Sequence, residues 1–133
     1  MTDTNTSMFE QIGGEVTIDR LVERFYDLID SLPQARTIRD MHEADLGPLK
    51  RVLKRYLTEW LGGPALYSSE RGHPRLRQRH MGFPIDNAAR DAWMECMDLA
   101  LAETVPDEAA RQNIHTALAK LADWMRNRQD ETG

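Results

Sequence analysis

The chain has 133 residues, one cysteine (Cys96) and a formal net charge of −5. This length suits one domain, which buries roughly 68% of its unfolded surface and so folds without a disulfide or structural metal. A lone cysteine excludes an internal disulfide and a Cys-rich zinc site, and the acidic balance argues against a nucleic-acid binder, which needs a basic field to neutralise phosphates.

The opening MTDTNTSMFEQ has no basic segment followed by an apolar block, so it does not read as a secretory signal. A short helix is expected before Gly13-Gly14. The first long stripe is Ile18, Leu21, Val22, Phe25, Leu28, Ile29 and Leu32, with Thr17 as its expected N-cap and Pro33 beyond its end. A second stripe runs through Leu46, Leu49, Leu53, Tyr56, Leu57 and Trp60. It is stopped by Leu61-Gly62-Gly63-Pro64, where glycine suits a C-terminal turn and proline forbids continuation. A third stripe holds Trp93, Met97, Ala100 and Leu101 and opens at Asp86 or Asn87. A fourth holds Ile114, Ala117, Leu118, Leu121 and Met125, capped by Asp107. No segment alternates as a strand does. No apolar run approaches the roughly 20 residues of a membrane span. The expectation is one all-α domain over 1–133, its core about 9–127 with frayed termini, soluble and cytoplasmic, with no nucleic-acid or membrane partner.

The joint from Gly62 to Asn87 has little helical stripe of its own, except for a short helix expected near Arg75–His80. Bare connections between helices usually span about 2–8 residues, and longer ones tend to be functional. Within it, RGHPRLRQRHMGFP places two histidines and four arginines beside Leu76, Met81 and Phe83. Spacing alone leaves His80 open between a hydrogen-bonded histidine and a metal ligand. No second histidine lies one helical turn away, so a multi-histidine zinc site is poorly supported. A single protein ligand suffices when the metal brings its own equatorial ligands, as in haem. Haem also needs an apolar slot, and polar or cationic groups at its rim for two propionates.

The stretch LGGPALYSSERGHPRLRQRHMGFPI, followed by RDAWMECM, resembles the group II truncated haemoglobins. Phe25-Tyr26, Gly62-Gly63-Pro64, Tyr67, Gly72-His73-Pro74, Arg79-His80, Phe83-Pro84 and Trp93 fall in the family's order and at its separations, over roughly Phe9 to Met125. The resemblance implies a truncated globin: a two-over-two helical sandwich around one haem b. It implies His80 as the proximal iron ligand and Arg79 as a propionate contact, with Tyr67 and Arg77 as further rim candidates. His73 belongs to the Gly-His-Pro turn and reads as structural.

On the distal side the resemblance implies Tyr26, His42 and Trp93. Read without it, Tyr26 is an ordinary helix-core tyrosine, Trp93 a packing residue, His42 a loop histidine in DMHEAD and Arg79 a solvated charge. With it, the phenol and the indole N–H are donors for a bound oxygen ligand. His42 then donates to the ligand, relays through Tyr26 or swings onto the iron. Leu49 falls where many globins place a distal histidine, so Leu49 and Leu53 are expected as apolar walls. Phe25, Tyr56, Leu57, Leu76, Met81, Phe83 and Met97 are expected to line the haem pocket or pack behind it. The function so implied is reversible binding of O₂, and of CO and NO, at a pentacoordinate or weakly hexacoordinate iron. The alternative is a redox enzyme, a pseudo-peroxidase or NO dioxygenase, served by an external reductase.

Overall fold

The computed structural model describes residues 7–42, 44–71 and 85–126. Helix α1 (Met8–Gln11) leads through Gly13-Gly14 into α2 (Glu15–Ser31), followed by a 3₁₀ turn (Pro33–Ala35) and the short α3 (Arg36–Asp40). Helix α4 (Gly47–Trp60) and the six-residue α5 (Leu66–Arg71) come next, and α6 (Asn87–Thr104) and α7 (Glu108–Trp124) complete the chain. Among the described residues there is no strand. The expected short helix near Arg75–His80 lies outside the described residues.

The four long helices form two layers. Helix α2 packs on α4 on one side and most extensively on α6, which in turn carries α7. The stripe read in α2 is its buried face: Ile18, Leu21, Val22, Phe25, Leu28 and Ile29 keep 5% or less of their surface. Helix α6 packs against both α2 and α7. Its buried face is therefore wider than one stripe, taking in Ala89, Ala92, Met94 and Cys96 beside Met97, Ala100 and Leu101. In α7, Ala110, Ile114, Leu118 and Met125 are buried, whereas Ala117, expected inside, faces solvent.

Asp86 and Asp107 cap α6 and α7 through Oδ1, which accepts from the N–H groups of Ala89 (2.8 Å) and Ala109 (3.0 Å). Thr17 is not the cap of α2. Gly14, at φ 71°, starts that helix at Glu15 instead. Thr17 lies buried inside the first turn, and its hydroxyl donates to the Ile12 carbonyl at 2.6 Å, satisfying a loop acceptor.

At the end of α4 the backbone reverses in a two-bond clasp. The Gly62 N–H donates to Glu59 O at 3.0 Å and the Gly63 N–H to Thr58 O at 2.8 Å, the pairing that closes a helix through a left-handed residue. Gly62 is that residue, at φ 95°. A Cβ on Gly63 would sit 2.8 Å from Thr58 O and 2.9 Å from the Phe9 ring. The clasp also leaves Leu61 O free to accept from Phe9 N at 2.9 Å, which straps α1 to the end of α4.

The joint after Gly63 differs from the expectation of little helix. Leu66–Arg71 forms α5, and Ser68 N donates to Glu59 Oε1 at 2.8 Å, tying it back to α4. Six residues are too few for a hydrophobic period to register. On the outer face of α2 and α4, Glu23 receives Lys54 at 2.7 Å and Lys50 at 3.0 Å, and Lys54 also reaches Asp19 at 2.7 Å. Lys54 and then Lys50, donating to the Glu23 carboxylate, hold it below the usual carboxylate range.

Two stability effects follow from these features. Gly62→Ala forces a side chain into positive φ and should cost about 1–2 kcal/mol, read as a Tm lower by several degrees. An unchanged Tm would mean that the clasp does not set the end of α4. Glu23 is depressed in the folded state, so its contribution is full at neutral pH and lost as pH falls through its folded pKa. Glu23→Gln should therefore lower stability by less than about 1 kcal/mol at pH 7, since the pairs are half exposed. Against wild type, the difference should shrink as pH falls through the lowered folded pKa of Glu23.

Candidate functional site

The site is built where α2, α3 and α6 meet. Phe25 is 1% exposed and stands between two other rings. The Tyr26 ring lies 5.0 Å away at 76°, and the Trp93 ring 5.1 Å away at 64°, both edge-on. Proline at position 33 ends α2 and opens the 3₁₀ turn, whose Ala35 is fully buried. Helix α3 then carries the chain to His42, whose imidazole meets the Tyr26 ring edge-on at 6.1 Å. His42 is half-buried, not an exposed loop residue. The three distal candidates, separated by up to 67 positions in sequence, thus form one cluster.

The polar atoms of this cluster are unusual in one respect. Among the described residues, every fully buried side-chain nitrogen or oxygen has a hydrogen-bond partner. The Tyr26 hydroxyl, the Trp93 indole N–H and His42 Nε2 have no hydrogen-bond partner among those residues. Burial pushes the Tyr26 phenol up to about 12, so at neutral pH it keeps its proton and is a hydrogen-bond donor. Trp93 Nε1 can only donate.

His42 differs from both. Its Nδ1 lies 2.7 Å from the Ile38 carbonyl oxygen, one turn back along α3. A carbonyl only accepts, so Nδ1 carries the proton, and a neutral ring leaves Nε2 bare. In its neutral form the ring's single N–H is therefore committed to Ile38. That carbonyl also accepts from Met41 N at 3.0 Å, which uses both of its lone pairs. Sequence reasoning missed Ile38, and no side-chain signal could have revealed a role played by a backbone oxygen.

Helix α4 supplies the apolar face. Leu49, Leu53 and Tyr56 are half-buried and pack against the core, keeping surface of their own. Leu57 (2% exposed), Met97 (0%) and Phe25 are sealed. They occupy the core behind this face, the second of the two placements the sequence left open. Tyr67 on α5 is buried and meets Tyr56 at 5.6 Å, ring edge to face. Burial, then the neighbouring Tyr67 and Glu59, push the Tyr56 phenol up to about 12. Cys96 is sealed in α6, its thiol pushed up to about 11 by burial and then by Glu95, as suits an inert core position. His73, Leu76, Arg77, Arg79, His80, Met81 and Phe83 lie outside the described residues.

These residues fit a haem. The half-buried apolar face of Leu49, Leu53 and Tyr56 offers a wall for a flat macrocycle. Beside it lie the donor-bearing rings of Tyr26 and Trp93, packed on Phe25, and the His42 imidazole, packed on Tyr26.

Comparison with known proteins agrees. The family model described as "Bacterial-like globin" matches residues 7–127. The Group 2 truncated hemoglobin YjbI of Bacillus subtilis is 37% identical over 122 residues, covering 92% of this chain and 89% of that protein. The group II 2-on-2 hemoglobin of the plant pathogen Agrobacterium tumefaciens superposes with a TM-score of 0.92 at 40% identity, covering 98% of this chain and all of that one. The structure of a truncated oxygen-avid haemoglobin from Bacillus subtilis gives a TM-score of 0.84 at 37% identity, covering 92% of this chain and 100% of that one. With its two-over-two helical sandwich and haem-shaped apolar face, the chain belongs to the bacterial-like globins and, within them, to the group 2 truncated haemoglobins, haem globins by descent.

Proposed function

We propose that this globin binds O₂ reversibly, and CO and NO, at a haem b whose iron is held by His80. The observation that carries this reading is the packing of the Tyr26 and Trp93 rings edge-on against Phe25, with the Tyr26 hydroxyl and the Trp93 indole N–H having no partner among the described residues. When bound, haem supplies the iron centre that takes the gas. The chain's own residues do the rest.

Leu49, Leu53 and Tyr56 form the apolar wall of the slot, and Leu57, Met97 and Phe25 stiffen it from behind. Leu76, Met81 and Phe83 would add apolar contacts to the haem, as the family resemblance implies. Arg79, with Tyr67 and Arg77, binds the propionates. Tyr67 is buried beside Tyr56, which restrains its ring. Tyr26 and Trp93 donate to the ligand. Because burial holds the Tyr26 phenol protonated, it serves as a donor and not as a phenolate ligand, which favours an open sixth position at rest. The oxygen avidity named for the Bacillus subtilis relative fits the same two donors here.

If each donor contributes about 1 kcal/mol net, the pair slows O₂ release on the order of 30-fold, at 1.4 kcal/mol per tenfold. Slow release suits sensing, scavenging or redox chemistry better than bulk oxygen transport. A second reading is favoured by the bare Nε2 of His42, which gives the pocket a proton acceptor. It is a haem-dependent redox enzyme, a pseudo-peroxidase or NO dioxygenase supplied by an external reductase.

Two measurements test the primary reading. Purified protein should take up one equivalent of haem and show a Soret band, and His80→Ala should lose it; uptake equal to wild type in that variant would remove His80 as the ligand. In stopped-flow experiments Tyr26→Phe and Trp93→Phe should each speed O₂ release about fivefold or more. Rates unchanged in both variants would refute the distal assignment. Turnover with peroxide or NO beyond that of free haem would shift the balance to the enzymatic reading.

A further inference from the structure

Charge is spread unevenly along this chain. From Gly47 to Arg79 there are eight lysines and arginines against two carboxylates, Glu59 and Glu70, a balance of +6. The other 100 residues carry nine against twenty, a balance of −11. The positive excess outweighs the two propionate charges of a haem, and it falls on the segment that opens with α4. That helix has two different sides. Leu49, Leu53 and Tyr56 form the proposed slot wall. Arg51 and Arg55 follow Leu49 and Leu53 by two residues, about 200° around a helix of 3.6 residues per turn, so they stand on the side away from the slot. Arg51 is exposed.

Lys50 and Lys54, with Arg51 and Arg55, line a groove of about 490 Å³ between α2 and α4. Lys54 reaches Asp19 and Glu23 at 2.7 Å, and Lys50 reaches Glu23 at 3.0 Å. The two lysines are thus ordered before any partner arrives, which lowers the entropy cost of docking.

Resting on the haem-globin reading above, we propose that the face of α4 bearing Arg51 and Arg55 docks an acidic one-electron carrier protein, which keeps the haem iron reduced. Ferric iron does not bind O₂, so a gas-binding globin needs an electron from outside whenever its iron oxidises. One electron leaves the carrier and reduces ferric iron to ferrous; no atom or proton changes place. A carrier on this face stands one helix away from the slot, about 10–12 Å. It is drawn to the +6 segment and repelled by the rest of the chain, which both steers the encounter and rejects wrong faces. The lining of the groove favours a protein over a lipid surface. Glu15, Asp19 and Glu23 share it with the four cations. These carboxylates repel a sheet of uniform negative charge, whereas a protein surface can match them with cations of its own.

The test uses haem-loaded protein, with flavodoxin, an acidic flavin carrier, as the probe. Oxidised flavodoxin titrated at low salt into the nitrogen-15-labelled CO complex should shift the amides of residues 50–55 saturably and leave those of α7 in place. The shifts should fade near about 0.5 M salt, where charges more than a few ångströms apart are screened. In stopped-flow experiments, reduction of the ferric protein by reduced flavodoxin should be about fivefold slower in Arg51→Glu than in wild type. Lys120→Glu makes the same change of charge at an exposed position on α7, and its rate should stay within about twofold of wild type. No saturable shifts, shifts centred away from α4, an equal slowing in both variants, or binding to phosphatidylglycerol vesicles without binding to flavodoxin would overturn the proposal. The titration needs no variant, so it decides even if Arg51→Glu folds poorly. Absence of a Soret band in wild type would instead sink the haem reading itself, a separate outcome.

Discussion

The packing of α2 between α4 and α6 is the constraint on which everything else rests. It places two consecutive residues in different company. Phe25 is driven into the core, 1% exposed, and Tyr26 is turned to its edge with 7% of its surface left. The edge-on contacts of Phe25 with Tyr26 and Trp93, at 5.0 and 5.1 Å, set the separation of two donors that come from different helices. An aromatic spacer does this better than an aliphatic one. Its ring is rigid and its two faces and edge have defined preferences, so the donors inherit the stiffness of the core. Among the described residues every sealed polar side-chain atom finds a partner, so the cost of about 1–3 kcal/mol for an unpaired buried group is avoided there.

The long helices were legible because each carries a stripe that no other arrangement buries. Ile18 to Ile29, and Met97, Ala100 and Leu101, are buried as the period requires. The Asp86 and Asp107 caps were legible because a carboxylate before a helical stripe has a specific acceptor role. Thr17 misled for the opposite reason. The preference of threonine for an N-cap was overridden by Gly14, whose φ of 71° starts the helix earlier and leaves the hydroxyl to a loop carbonyl. The 3₁₀ turn, α3 and α5 were illegible because three to six residues cannot display a helical period. Yet α3 is what brings His42 to Tyr26. Composition alone favoured an exposed loop for His42, which is half-buried against Tyr26. The Ile38 carbonyl that fixes its ring could not be read at all, because every residue carries one.

The charges tell a complementary story. The ion pairs lie outside the pocket, between α2 and α4 at Glu23, Asp19, Lys50 and Lys54, between α2 and α6 at Arg24 and Glu103, and between α6 and α7 at Arg90 and Asp123. Exposed pairs of this kind add little to stability. They do bring opposite charges together on the outside of each helix pair. The described distal cluster, by contrast, contains no fixed charge. Neutral diatomic molecules gain nothing from a charged funnel, and a charge beside the ligand would pin ions that the apolar wall otherwise excludes. An acidic protein with an uncharged polar pocket is therefore consistent with a small neutral ligand, as the donor geometry also requires.

The division of labour between helices follows from α4. In placing Leu49 and Leu53 where a polar residue would otherwise project, α4 gives up hydrogen bonding and becomes wall alone. Among the described residues, the polar side chains of the cluster sit on α2, on α6 and at the end of α3, packed against the Phe25 ring or its neighbour. A change in the volume of Phe25 would move Tyr26 and Trp93 together, whereas the bond from His42 to the Ile38 backbone oxygen would stay as it is, since it closes within α3 and its C-terminal turn. The ring contacts of Phe25 and the bond from His42 to the Ile38 oxygen are therefore separate supports for the side chains of one cluster.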